Sequence, residues 1–368
     1  MSKYKIPWIK PHFGGSEKEY LLDALDSTWI SGGSYVERFE VEVSSFSNVP
    51  FAFSVSNGTS AIHLAYLALN LKPGDEIIVP GFCYLAAANI ATQIGLLPVF
   101  AEVDEYTYCV TAQNIEPLIT PQTKLIVVVH TYGNVCEMTD IVNLARSSNL
   151  MILEDAAESL GSRYKNIQSG AIADIGTYSF HATKTITTGE GGMVLTKHEE
   201  LSNRMRLYRS HGVLDKRYWH EVPGHNFRLT NLQAALGCAQ FAQLDKIIHE
   251  RKRVQTSYQM FLSDVEGVKL QRFGSMVDPV LWAQAVELNP IFFPQGRDGV
   301  IQQLHDYGIE TRNGFYAASQ LPIYRSRKSL PVCERLANNV ISLPTFPTLT
   351  DEQIEYIASA LLSLQHKP

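Results

Sequence analysis

Residues 178–192 read Tyr-Ser-Phe-His-Ala-Thr-Lys-Thr-Ile-Thr-Thr-Gly-Glu-Gly-Gly, and Lys184 is the only Lys or Arg between Lys165 and Lys197. It belongs to no solvated charge run. An amine among small and hydroxylated neighbours loses proton affinity and can serve as nucleophile or base near neutral pH. Alone, the same pattern fits an ordinary surface lysine on a loop. A second segment, 150–153, is a short apolar run that ends in Glu154 and Asp155, with Ala156, Ala157 and Glu158 after it. Such runs form buried parallel strands, and open α/β sheets bind ligands beyond the carboxyl ends of their strands. Asp155 falls at that place; its alternative reading is a helix N-cap. In a third segment, Asn57-Gly58-Thr59-Ser60 is a turn that opens a helix. Free amides at a helix start, with hydroxyls beside them, form a phosphate cup, although plain capping uses the same residues.

Together these segments describe one ligand. It carries a phosphate for Gly58, Thr59 and Ser60, a basic ring nitrogen for Asp155, and an aldehyde within reach of Lys184. Pyridoxal 5′-phosphate (PLP) has all three, and an aspartate against its ring nitrogen keeps the ring an electron sink.

The elements that must position these residues alternate. Short apolar runs at 52–55, 76–79, 97–102, 125–129, 150–153, 176–180 and 192–196 predict strands, the last two returning hairpin-like around the lysine. Segments such as 85–92 and 138–146 predict helices between them, the pattern of a mostly parallel sheet. A continuous helical pattern over 231–253 is expected to lead from a large domain, 1–240, into a smaller C-terminal α/β domain, 241–368, with helices over 300–307 and 351–364. The 189–192 glycines lack dinucleotide-fingerprint spacing and predict a sharp backbone turn.

The chain has 368 residues, 45% hydrophobic and 18% charged, with a formal net charge of −6. This suits a globular enzyme with a sizeable core and gives no basic patch for nucleic acid. No apolar run approaches a membrane span, and residues 1–8 carry no signal-peptide core, so a cytoplasmic protein is expected. The five cysteines, Cys83, Cys109, Cys136, Cys238 and Cys333, are dispersed and form no metal motif; reduced thiols and no metal site are expected.

On the motifs 29–33 (Trp-Ile-Ser-Gly-Gly), 73–80, 154–158, 187–192 and 226–235, in order along most of the chain, the sequence resembles the DegT/DnrJ/EryC1/StrS family of PLP-dependent sugar aminotransferases. Within it, the likeness is greatest to the GDP-perosamine synthases, which aminate GDP-4-keto-6-deoxymannose. The resemblance implies a fold-type-I (aspartate-aminotransferase-like) α/β fold, L-glutamate as amino donor, and a nucleotide-linked keto-deoxy sugar as acceptor, with C4 the expected keto carbon. It implies that Lys184 condenses with the cofactor and then shuttles a proton, that Asp155 pairs with the ring nitrogen, and that Glu158 lies near the phenolic oxygen. Gly58, Thr59, Ser60 and Ser179 are expected on the phosphate, Tyr84 on the ring face, and Asn226 on the phosphate of a neighbouring subunit in a homodimer. Trp29, Ser31, His181, Arg312 and Tyr316 are expected toward the substrate. His181 reads equally as a packed core imidazole.

One departure concerns the acceptor. After 308–312, Gly-Ile-Glu-Thr-Arg, related chains run through Pro-x-His, whereas here the histidine position holds Ser319 and the proline is missing. Two rival readings use the same scaffold. A sugar dehydratase would carry histidine in place of Lys184, and a non-catalytic regulator would not need the lysine, acid and cup together.

Overall fold

The structure, a computed structural model, describes residues 4–324 and 328–366. Its centre is a seven-stranded sheet built from β1 (Phe51–Val55), β2 (Glu76–Pro80), β3 (Leu97–Ala101), β4 (Thr123–Val129), β5 (Met151–Asp155), β6 (Ile175–Ser179) and β7 (Gly192–Thr196), in spatial order β1-β7-β6-β5-β4-β2-β3. All neighbours from β3 to β6 are parallel; β7 alone runs against both β6 and β1. β4 shows why parallel strands read as unbroken apolar runs: Leu125, Ile126, Val127, Val128 and Val129 are all buried, because helices cover both faces.

On one face lie α1 (Glu17–Asp26) and α2 (Ser34–Ser47), packed with a helix near residue 235. Their core joins Phe39 and Val43 to Tyr178, Phe180, Met193 and Leu195 of the sheet. The other face carries α3 (Gly58–Ala68), α4 (Ala86–Gln93), α5 (Met138–Ser147) and α6 (Glu199–Arg209). The helical pattern expected over 231–253 is two helices, α7 (Asn231–Phe241) and α8 (Leu244–Leu262). The break contains neither Gly nor Pro. Gln243 N–H turns back to Gln240 O at 3.0 Å, and Gln240 Nε2 is held by His12 O at 2.8 Å and Glu17 Oε1 at 2.7 Å. Tertiary partners on the N-terminal segment, which helical periodicity cannot register, thus end α7.

α8 leads to a second, antiparallel sheet of β8 (Val268–Leu270), β9 (Gln284–Leu288), β10 (Arg312–Asn313) and β11 (Val340–Leu343), ordered β8-β9-β11-β10. It packs on α8, α9 (Gly296–Asp306) and α11 (Asp351–Ser363) through Val254, Tyr258, Val300, Leu304, Ile354 and Ile357; α10 (Pro331–Asn339) lies between the two units. The first described residues also hydrogen-bond to this second unit. Ile6 N–H donates to Gly308 O at 3.0 Å, Glu310 N–H to Ile6 O at 2.9 Å, and Thr345 N–H to Trp8 O at 3.0 Å. Ile6 forms a parallel bridge with Ile309 and is buried in that unit's core. No helix among the described residues is long and apolar enough to cross a membrane.

Candidate active site

The carboxyl ends of β1, β4, β5 and β6 carry Ser56, His130, Ala156 and Phe180 as their next residues, so the site forms along one edge of the sheet. Successive strand residues point to opposite faces, which separates the two acids of β5. Glu154 is fully buried and accepts from Gly170, Ile172 and Ala173 N–H at 2.9, 2.7 and 2.6 Å; its Oε2 also meets His130 Nε2 at 3.0 Å. His130 Nδ1 accepts from Cys136 N–H at 3.3 Å, so Nε2 is the donor to Glu154. This pair locks the β4 and β5 ends together. The carboxylate of Asp155, on the other side, accepts Ala157 N–H at 3.1 Å, and the residue is 5% exposed.

Lys184 reaches the same place from the loop between β6 and β7. Its amide donates to His181 O at 2.9 Å, its side chain is 13% exposed, and Nζ stands 3.7 Å from Glu158 Oε1. Glu158 is anchored by Tyr132 N–H at 2.8 Å, and Tyr132 adopts φ 60°, a left-handed conformation uncommon for a tyrosine. Beneath Nζ, at 3.9 Å, lies the ring of Trp282, whose Nε1–H donates to Thr183 O at 2.8 Å.

Burial dominates the electrostatics. It raises the proton affinity of Asp155 above its ordinary value, a rise that the Ala157 N–H, Lys184 and His130 oppose. It raises Glu158 likewise, against Lys184 and the Tyr132 N–H. Desolvation lowers Lys184; Glu158 and Asp155 pull it back up, and the buried Arg251 pushes it further down. Burial thus works against the charged form of all three groups, and their mutual attraction works for it.

At the start of α3, Asn57 Oδ1 accepts Ser60 N–H at 2.8 Å and Asn57 O accepts Ala61 N–H at 3.2 Å. Ser60 Oγ pairs with Ser56 Oγ at 3.1 Å. Ser60 thus gives its amide to Asn57 and shares its hydroxyl with Ser56, while the amides of Gly58 and Thr59 head the helix at the expected cup. Ser179 borders it: a Cβ on Gly58 would stand 3.0 Å from Ser179 Cβ and 3.3 Å from its Oγ, which already accepts His181 N–H at 3.3 Å. Gly192 permits the approach from β7, since a Cβ there would lie 2.6 Å from Asn57 C and O. A cradle closed to side chains, two free amides, a hydroxyl, a buried acid and a buried amine fit the phosphate, ring nitrogen and aldehyde of PLP.

The other expected residues lie further out. His181 is not packed in the core: its side chain is 46% exposed, with Nδ1 2.9 Å from Thr183 Oγ1 and Nε2 3.7 Å from Glu190. Tyr84, 65% exposed, meets Phe315, which stacks on Tyr132 at 5.1 Å, which in turn stacks on Trp282. Arg312 pairs with Glu310 at 2.6 Å and lies over Trp8, whose ring meets the Trp282 ring at 5.4 Å. Tyr316 is exposed under Arg297. Trp29 and Ser31 are exposed, their carbonyls held by Asn231 Nδ2 and N–H at 2.7 and 3.1 Å. Asn226 is exposed in a strand-like bridge with Ser210, one residue before Phe227, whose carbonyl accepts Ser56 N–H at 2.7 Å. Ser319, in place of the expected histidine, donates to Glu334 Oε1 at 2.6 Å near the start of α10. Among the described residues, no group of three or more His, Cys, Asp or Glu could hold a metal ion, and all five cysteines are free and buried.

Sequence reading missed His130, Trp282 and Arg251. His130 had a signal: it follows the apolar run 125–129 as Asp155 follows 150–153.

The family profile described as the DegT/DnrJ/EryC1/StrS aminotransferase family matches residues 11–362. The GDP-perosamine synthase of Escherichia coli O157:H7 is 39% identical over 359 residues, covering 97% of each chain, and that of Caulobacter vibrioides is 38% identical over 370 residues, again 97% of each. Among solved structures, the PLP form of the putative sugar aminotransferase Spr1654 from Streptococcus pneumoniae superimposes with a TM-score of 0.92 at 26% identity, covering 98% of each chain.

Proposed function

Since this chain belongs to the DegT/DnrJ/EryC1/StrS aminotransferase family, we propose that it moves an amino group from L-glutamate to the keto carbon, C4, of a nucleotide-linked keto-deoxy sugar, with PLP as cofactor. The observation that carries the reading is one buried amine, Lys184, 3.7 Å from Glu158 and close enough to the buried Asp155 for their charges to interact. PLP, when bound, supplies an electron sink for the carbon that loses its proton. The chain's own residues do the rest. Lys184 would hold the aldehyde, and its Nζ would hold or move a proton there. Asp155 takes the ring nitrogen, which turns its desolvation penalty into an ion pair. Gly58 and Thr59 amides and Ser179 Oγ take the phosphate; Glu158 takes the phenolic oxygen, and Tyr84 covers the ring.

The working unit in this reading is a homodimer, with Asn226 completing the neighbouring subunit's phosphate site and the exposed Trp29, Ser31, His181, Arg312 and Tyr316 lining the acceptor site. What supports it is the exposure of these groups in the single chain: Trp29 is 71% exposed. Residues 1–240 form the cofactor-binding domain and 241–368 the smaller one, with the N-terminal strand lent to the latter. The reaction takes place in the cytoplasm, and the product serves surface-polysaccharide or antibiotic-sugar synthesis. GDP-linked sugars are the first acceptors to try, because two GDP-perosamine synthases are 39% and 38% identical to this chain.

The test is turnover of GDP-, dTDP- and UDP-linked 4-keto-6-deoxy sugars with glutamate, read by product mass, for the parent chain and Lys184→Ala. Amination of one acceptor by the parent, and none by a folded Lys184→Ala, is expected. A Lys184→Ala variant that aminates normally refutes the reading.

A further inference from the structure

Trp282 is 99 residues from Thr183 in sequence, yet its indole N–H donates to the Thr183 carbonyl at 2.8 Å and its ring face lies 3.9 Å below Lys184 Nζ. Trp282 is 8% exposed. Tyr132 stacks on it at 6.2 Å and 12°, and Trp8 meets it edge-on at 86°. Its backbone is clamped as well: Arg251 Nη1 donates to the carbonyls of Leu281 and Trp282 at 3.0 and 3.3 Å. Arg251 is 2% exposed and has no carboxylate partner among the described residues. A guanidinium is thus buried without an anion to hold two carbonyls around one indole. That cost is explained if the indole's position matters.

We propose that Trp282 is a positioning residue for Lys184: its N–H pins the loop carbonyl before the lysine, and its ring face seats the protonated amine. This rests on the reading of Lys184 as the reactive amine. The charged groups facing Nζ are Glu158 and Asp155, from the segment at the end of β5, and Arg251, from α8. A proton-carrying lysine held only by carboxylates is trapped as an ion pair. The negative face of an indole stabilises the ammonium without accepting its proton, and does so best when desolvated. The amine can then collect a proton over the ring and deliver it without crossing solvent.

The test replaces Trp282 site-specifically with tryptophans bearing increasing numbers of ring fluorines. These keep shape and N–H but drain the ring face. In cofactor-free protein, the pH midpoint of Lys184 reductive methylation by formaldehyde with cyanoborohydride as the hydride donor is read from peptide mass, since only the neutral amine reacts. We expect the midpoint to fall stepwise, by about one pH unit across the series; a flat or rising series overturns the proposal. Cofactor-free protein keeps the two readings apart: a chain that fails to transaminate leaves a falling series standing, and a flat series in an active enzyme removes this proposal alone.

Discussion

Gly192→Ala tests the idea that glycine at the start of β7 exists to let the phosphate cup form. The added Cβ would lie 2.6 Å from Asn57 C and O and 2.8 Å from Gly58 N, where ordinary contact begins at 3.4 Å. The start of α3 must therefore retreat by about 0.8 Å, the difference between 3.4 and 2.6 Å. These are backbone atoms and cannot swing aside as a side-chain tip would. Overpacking of this kind costs about 1–3 kcal/mol. A retreat of that size also takes the Gly58 and Thr59 amides out of hydrogen-bond range of a phosphate. A hydrogen bond to a charged group contributes about 1.5–3 kcal/mol, so the loss of one weakens PLP binding about tenfold to a hundredfold. The assay is PLP titration by absorbance alongside urea unfolding of the cofactor-free protein. Gly274→Ala is the control, since its Cβ would meet nothing nearer than Val277 Cγ2 at 3.6 Å. The argument fails if folded Gly192→Ala binds PLP within about twofold of the parent.

Asp155→Asn tests the buried acid. Burial raises its folded proton affinity above the unfolded value, so its contribution to stability is fully present below the ordinary aspartate range and is lost as pH rises through the raised value. The melting temperature of cofactor-free Asp155→Asn should accordingly gain on the parent between acid pH and neutrality; a constant difference would contradict the assignment. Arg251→Met removes a guanidinium that burial holds down to about 10 and leaves two carbonyls without their donor. Urea unfolding should show a net loss of about 2 kcal/mol, and the Lys184 methylation midpoint should rise as the repulsion disappears. Ser319→Ala removes a donor that holds Glu334 below its ordinary value at the start of α10. Stability should fall by about 0.5–1 kcal/mol while turnover stays near that of the parent, because this serine braces a helix.

How much of this was legible in the sequence depends on how far apart in the chain the cooperating groups lie. The strands were readable because each is a short apolar run stopped by Gly, Pro or acid, and the carboxyl-edge rule then placed Asp155, Gly58 and Lys184 near one another. The same rule, applied to 125–129, reaches His130. The broken helix was not readable, since Gln240 answers to His12 and Glu17 rather than to its neighbours in sequence. Arg251 stands beside Lys252 and Arg253 in sequence. Yet the buried face of α8 passes through Leu244, Ile247, Arg251, Val254 and Tyr258 at spacings of three and four, so Arg251 occupies an apolar position. That misfit is written in the helical spacing itself: burying a guanidinium is costly enough that a helix presents one inward only against something it must hold. What the helix pattern could not name is its object, the Leu281–Trp282 backbone, because that depends on how the second unit docks on the first. Lys184, Asp155 and Gly58 were therefore readable from local spacing, and the groups packed around Lys184 were not, since they come from separate stretches of chain, among them α8 and the segment before β9.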